Sequence, residues 1–194
     1  MQTERQKEII QVSLNLISEK GIQGLTIKNI ASKIGTSEPA IYRHFESKIQ
    51  ILVSILDNFY QFSQFSIKEE KLKSVNSLEK IANIFKKHFK EFTNNPSMVA
   101  VIFSEEIFAN ETILIERISE IVRDNEKIIL EIIESGQSNN EIRNDMSAAM
   151  LSVIIMGSLR LFVKKWQLSG YDFVLTENGE VLIQTITHLI KVDK

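Results

Sequence analysis

Residues 26–48 read TIKNIASKIGTSEPAIYRHFESK, and two short helices joined by a tight turn can be traced through them residue by residue. Thr26 is a good helix N-cap, because its hydroxyl accepts from a backbone N–H that the first helical turn leaves unpaired. Ile27, Ile30, Ala31 and Ile34 recur at helical spacing and form one apolar face. Gly35 ends that helix, since glycine tolerates the left-handed backbone of a tight exit, and Thr36 and Ser37 supply the turn and the next N-cap. Pro39 falls in the opening turn of a second helix over residues 38–45, where a missing N–H costs little. Ile41 and Phe45, four apart, are its buried stripe, while Glu38, Ala40, Tyr42, Arg43 and His44 lie elsewhere on its surface. So short a helix is not stable alone. It makes sense if it is presented to a partner, and the major groove of duplex DNA is the usual recipient of a helix-turn-helix.

Composition sets the outer bounds. A chain of 194 residues, 43% of them hydrophobic, has enough apolar side chains for a sizeable core in one or two domains. It has no cysteine, so a disulfide framework and a thiolate metal site are both excluded, in keeping with a reducing cytoplasm. The N-terminal MQTERQKEII carries alternating charges and no apolar run of signal-peptide length, so export is not expected. The longest uncharged run, residues 146–159, is too short to span a bilayer and reads as buried helix. Charge is uneven within the net −2: residues 1–50 hold seven Lys/Arg against five Asp/Glu, and the remainder sixteen against twenty. That fits a nucleic-acid module on a neutral body, although mixed charge is also what an ordinary solvated surface shows.

In chain order, residues 3–20 place Ile9, Ile10, Val12, Leu14, Leu16 and Ile17 largely on one side of an amphipathic helix closed by Gly21. Ser47 caps a fourth helix, about residues 48–65, that runs through Ile51, Leu52, Ile55, Leu56, Phe59 and Phe62. Residues 65–77 read as a charged connection and a domain boundary. Beyond it, residues 78–92, 97–108, 113–133, 146–168 and 175–191 each show helical spacing, with no run of strand alternation. The breaks fall at Asn94-Asn95-Pro96, Asn110, residues 136–140 and Ser169-Gly170. The expectation is an all-α chain of about nine helices.

Thr26, Ile30-Ala31, Gly35, Ser37, the run Ile41-Tyr42-Arg43-His44-Phe45 and Lys48 together resemble the DNA-binding domain of the TetR family of bacterial transcriptional regulators. Ile30, Ala31, Gly35, Ile41 and Phe45 are the core of that motif; Thr36 departs mildly from it, standing where the family more often has an apolar residue. The resemblance covers about the first fifty residues. It implies a three-helix DNA-binding domain over residues 1–47 and a helical ligand-binding and dimerisation domain over residues 48–194, with helix four as connector. It also implies a homodimer paired through the last two helices, residues 148–163 and 181–190, for which Ala149, Ser152, Val153, Met156, Gly157, Arg160, Ile183, Ile186 and Ile190 are the interface candidates. By pattern alone, residues 146–168, apolar on almost every side, fit the central helix of a monomeric bundle as well. Two-fold pairing would set two recognition helices about 34 Å apart, matching a palindromic operator.

Thr26, Tyr42, His44 and Lys48 match the family's motif positions and offer hydroxyl, ring N–H or ammonium donors, which suits phosphate contacts. Each also has a plain structural reading as cap, packed ring or solvated end. Lys28, Glu38, Ala40 and Arg43 fall where the family's pattern varies and are the candidates for reading bases. Arg43 has the fork for guanine O6 and N7, and Glu38 either accepts from a cytosine amino group or simply complements the helix dipole.

The remaining chain holds no chemical motif. His88 and His188 stand without Cys or a carboxylate at ligand spacing, Glu105 and Glu106 point apart on a helix, and no phosphate loop or nucleophile elbow is present. No metal, cofactor or enzymatic activity is therefore expected. Phe85, Phe89, Phe92, Phe103, Ile107, Phe108, Phe162 and Trp166 lie on helices that the family places around its ligand cavity, with core packing as the default alternative. A cavity walled by them would take an apolar effector such as an acyl chain or a lipophilic aromatic compound, with His88, Arg117 or Arg160 as polar anchors. Two functions follow: a ligand-responsive, dimeric, cytoplasmic repressor of a palindromic operator, or a DNA-binding architectural or interaction protein without an effector. Ligand dependence of DNA binding separates them.

Overall fold

The computed structural model describes residues 2–73, 75–104 and 111–192. Among them are nine α-helices: α1 (Glu4–Lys20), α2 (Ile27–Ile34), α3 (Glu38–Tyr42), α4 (Lys48–Leu72), α5 (Ser77–Asn94), α6 (Pro96–Ile102), α7 (Thr112–Ser138), α8 (Ala148–Leu168) and α9 (Leu175–Ile190). A 3-10 turn, Ile22–Gly24, joins α1 to α2, and a single antiparallel bridge pairs Ile142 with Lys191. The expected all-α architecture is what the chain adopts. The helices fall into two compact units, one of Met1–Tyr60 with Asn95–Glu120, the other of Gln61–Asn94 with Ile121–Lys194. Among the described residues no helix is long and apolar enough to cross a membrane.

In the first unit, α1 starts with a capping box, in which Thr3 Oγ1 accepts from Gln6 N–H and Gln6 Oε1 accepts from Thr3 N–H. Its inner face buries Ile9, Ile10, Leu14, Leu16 and Ile17 and packs on α2 and α6. Each such side chain contributes about 1.5–3 kcal/mol by leaving water. Gly35 takes the left-handed conformation expected of it (φ 76°, ψ 37°), and the Thr36 N–H closes the helix end on Ala31 O at 2.9 Å. α3 stops at Tyr42 instead of running to Phe45. Arg43 closes it, and the N–H groups of His44 and Phe45 both fold back onto Ile41 O. Phe45 still reaches the core beside Ile41, so the stripe is as read although the helix is shorter.

Helix four does not give way to a connection at residue 65; α4 continues to Leu72. Ser63, Ser66, Ile67 and Glu70 extend its buried face, and the Glu70 carboxylate accepts from Lys73 (2.5 Å), Lys87 (2.8 Å) and Asn83 (3.2 Å). Burial alone would raise that carboxyl; the three donors outweigh it and hold it below the usual carboxylate range. A stretch that is charged in composition is thus helical because one of its charges is buried and paired.

α7 runs past the expected residue 133 through Gly136 and ends at Ser138, inside the stretch 136–140 where a break was expected. A Cβ there would lie 2.7 Å from the Ile142 side chain and 2.8 Å from Ser77 Cβ, so this glycine permits close packing, and the chain turns later at Asn140 (φ 57°). α6 ends at Ile102, short of the expected residue 108, with Phe103 and Ser104 already outside the helix. Glu105, Glu106, Ile107, Phe108 and Asn110 lie outside the described residues. In the second unit α9 packs on α5 and α8.

Candidate nucleic-acid interface

Two helix N-termini open onto one groove of the first unit. Thr26, in extended conformation, caps α2 by accepting from Asn29 N–H at 3.1 Å. Ser47 Oγ accepts from Gln50 N–H at 3.2 Å and so caps α4, while Gln50 Oε1 takes the Glu46 N–H at 2.7 Å. Thr26, Ile27, Lys28, Glu38, Tyr42, Glu46, Ser47 and Lys48 line an open depression of about 420 Å³. The positive ends of the α2 and α4 dipoles therefore face the same space, where an anionic oxygen is stabilised.

Of the four residues expected at phosphates, the groove gathers Thr26, Tyr42 and Lys48; His44 is half-buried and does not line it. Tyr42 is 51% exposed and holds its ring out from α3. Of the base-reading candidates, Lys28 and Glu38 line the groove, Arg43 is exposed beyond it, and Ala40 is half-buried. No ion pair joins Lys28, Lys48, Glu38 or Glu46 to another side chain among the described residues, in contrast to Lys33, which Glu19 holds at 2.8 Å. Both groove lysines keep their charge available for phosphate. Sequence reasoning missed Ser47 as a groove residue, having read it only as a cap. Ser37 is the N-cap of α3 as read, in extended conformation (φ −90°, ψ 152°), although its hydroxyl makes no capping bond.

The effector candidates are less uniformly placed. In the second unit, Phe89 lies 5.9 Å from Phe85 and 5.7 Å from Phe162, His88 stands edge-on to Phe92 and Phe62, and Trp166 donates to Phe173 O at 2.9 Å. Phe103 and Arg117 belong to the first unit. Arg117 is not a spare cation: Asp57 (2.6 Å) and Glu120 (2.5 Å) neutralise it, and it lies 4.4 Å over the Tyr60 ring.

Among the dimer candidates, Ala149, Val153, Gly157 and Arg160 are exposed and Met156 is half-buried. Ser152, Ile183, Ile186 and Ile190 are instead buried in their own unit. The apolar surface left open on α8 and α9 is carried by Met150, Val153, Ile154, Leu161, Val181 and Leu189, with Leu168 at the end of α8. A helix apolar all round gives no sign in its sequence of which side turns inward.

Residues 9–55 match the tetR family of bacterial regulatory proteins, and residues 57–190 match the C-terminal region of YsiA-like protein. The fatty acid metabolism regulator protein of Bacillus subtilis (strain 168) is 25% identical over 187 residues, which cover 92% of this chain and 94% of that protein. Two solved structures share the fold. FadR from Bacillus subtilis in complex with stearoyl-CoA superposes with a TM-score of 0.79 at 22% identity, over 93% of this chain and 97% of its own. The ketosteroid transcriptional regulator KstR2 of Mycobacterium tuberculosis does so with a TM-score of 0.82 at 18% identity, over 100% and 98%. With both regions matched in order along nearly its whole length, the chain belongs to the tetR family of bacterial regulatory proteins.

Proposed function

We propose that this chain is a dimeric transcriptional repressor that binds a palindromic operator through the groove between α2, α3 and α4 and is released from it by an apolar effector. The observation that carries the reading is the convergence of two helix N-termini, Lys28, Lys48 and the exposed Tyr42 on one depression. Thr26, Tyr42 and Lys48 fix register on phosphates, with His44 at the margin; Lys28, Glu38, Ala40 and Arg43 face the bases. Residues 1–47 act as the DNA-binding domain and residues 48–194 as the ligand-binding and dimerisation domain, all in the cytoplasm.

The effector is a long acyl chain or a molecule of similar apolarity. The aromatic side chains around Phe89 and Phe162 support this, as does the likeness to a fatty acid metabolism regulator. It must bind the operator-competent and operator-incompetent dimers with different affinity, since a ligand of equal affinity for both shifts nothing. Selection of bound sequences from random duplex tests the first half. The expected result is an inverted repeat with half-sites about one turn apart. A long-chain acyl-CoA titrated into that complex tests the second half, and release of the duplex is expected. An asymmetric site, or a complex indifferent to every apolar compound, refutes the corresponding half.

A further inference from the structure

The buried interior of the second unit contains polar side chains that its packing leaves half-used. Gln64 on α4 and Asn125 on α7 are 7% and 8% exposed, and Gln64 Nε2 donates to Asn125 Oδ1 at 2.9 Å. Helical neighbours of both are buried aliphatics: Ile67 for Gln64, and Ile121, Ile128 and Ile129 for Asn125. A carboxamide has one acceptor and two N–H donors, so this bond leaves the pair with a free carbonyl on one residue and a free amide on the other. Exchanging O and N on both residues preserves that balance. Among the described residues no hydrogen bond uses those ends, and Gln167 Oε1 is the only polar side-chain atom sealed without a partner. A half-satisfied buried pair is costly to keep, and a ligand that completes it gains accordingly.

The adjoining residue of α4, Ser63, bonds His88 Nε2 at 3.1 Å, and His88 Nδ1 lies 2.8 Å from Ile84 O. A carbonyl only accepts, so Nδ1 carries the proton and Nε2 accepts from Ser63. Neither this pair nor the Gln64–Asn125 pair includes a cation, and Lys87, whose charge reaches His88, is already held by Glu69 and Glu70. An ionised carboxylate brought there would be buried without a counter-ion.

We propose that the Gln64–Asn125 pair anchors the effector, hydrogen-bonding an uncharged amide, ester or thioester group on an apolar chain and rejecting the free carboxylate of the same chain. This rests on the effector reading above. The test titrates the full-length protein at pH 7 with decanamide, methyl decanoate and decanoate by calorimetry. Decanamide, which supplies both a donor and an acceptor, binds tightest; the ester, which only accepts, is intermediate; decanoate is at least tenfold weaker than the amide. Gln64→Met and Asn125→Leu, near-isosteric and apolar, each weaken decanamide about tenfold. Decanoate binding as tightly as decanamide overturns the proposal with no variant needed, as does unchanged decanamide affinity in folded variants. If no member of the series binds the wild type, the effector reading itself has failed.

Discussion

Gly179 of α9 lies against the ring of Phe89 of α5: a Cβ on the glycine would come within 2.4 Å of Phe89 Cδ2 and 2.5 Å of Cε2. The ring is 1% exposed and wedged between Phe85 and Phe162, so it cannot swing aside. Alanine normally favours a helix interior over glycine by about 1 kcal/mol, but overpacking a core costs about 1–3 kcal/mol. An approach as close as 2.4 Å puts the cost at the upper end of that range, so Gly179→Ala is expected to destabilise by about 2 kcal/mol net, read as a lower thermal midpoint. A midpoint equal to or above wild type would mean that α5 and α9 are not in this contact.

His88 gives stability a pH dependence. Burial pushes its imidazole below the ordinary value of 6.5; the Ile84 hydrogen bond opposes that and the nearby Lys87 charge adds to it. Between the lowered folded value and 6.5 the unfolded chain holds the extra proton. The stabilisation is therefore complete above about 6.5 and is lost as pH falls, with a limiting slope of about 1.4 kcal/mol per pH unit. Denaturation midpoints measured from pH 7.5 to 5.5 are expected to fall more steeply for wild type than for His88→Asn. Parallel profiles would contradict a neutral, buried imidazole.

What the sequence disclosed and what it withheld follow the range of the forces involved. The first fifty residues were legible because local devices fix them: the Thr26 cap, the left-handed Gly35 and the Ile41 and Phe45 stripe each act within one or two turns. The errors beyond them are long-range. Residues 65–72 looked like a loop because partners for Glu70 come from Asn83 and Lys87 on another helix, and α7 was read to stop at residue 133 because the packing of Ile142 and Ser77 on Gly136, which carries it on to Ser138, comes from outside. The inward turn of Ser152, Ile183, Ile186 and Ile190 was similarly invisible. Periodicity marks a helix as apolar without saying which stripe belongs to its own core.

That stripe assignment has a direct test. Val153 is 57% exposed on α8, beside the exposed Met150 and Ile154, and it falls on the proposed two-fold face. In an isologous interface a single substitution acts on both subunits, so Val153→Glu buries two unpaired carboxylates. Sedimentation equilibrium is expected to show a folded monomer whose operator affinity has collapsed, while Ser152→Ala, at a position buried in its own unit, leaves the dimer in place. A dimeric Val153→Glu protein would move the interface elsewhere.

The division of labour in the groove predicts two different kinds of damage. Arg43 is exposed just past the end of α3, whereas Lys48 sits in the first turn of α4 among the groove residues. Lys48 opposes the dipole of its own helix, which gives it no reason to be there for stability, but beside a phosphate its charge adds to that of the helix end. Lys48→Ala should therefore weaken operator and unrelated duplex alike, and flatten the dependence of log affinity on log salt by about 0.9 for each phosphate contact removed. Arg43→Ala should cost about 1–3 kcal/mol on the selected operator and much less on random duplex, with relaxed preference at one position of each half-site. Fluorescence anisotropy on both duplexes across a salt series separates the two. If both variants lose discrimination equally, or both lose only affinity, the separation of phosphate-positioning from base-reading residues is wrong.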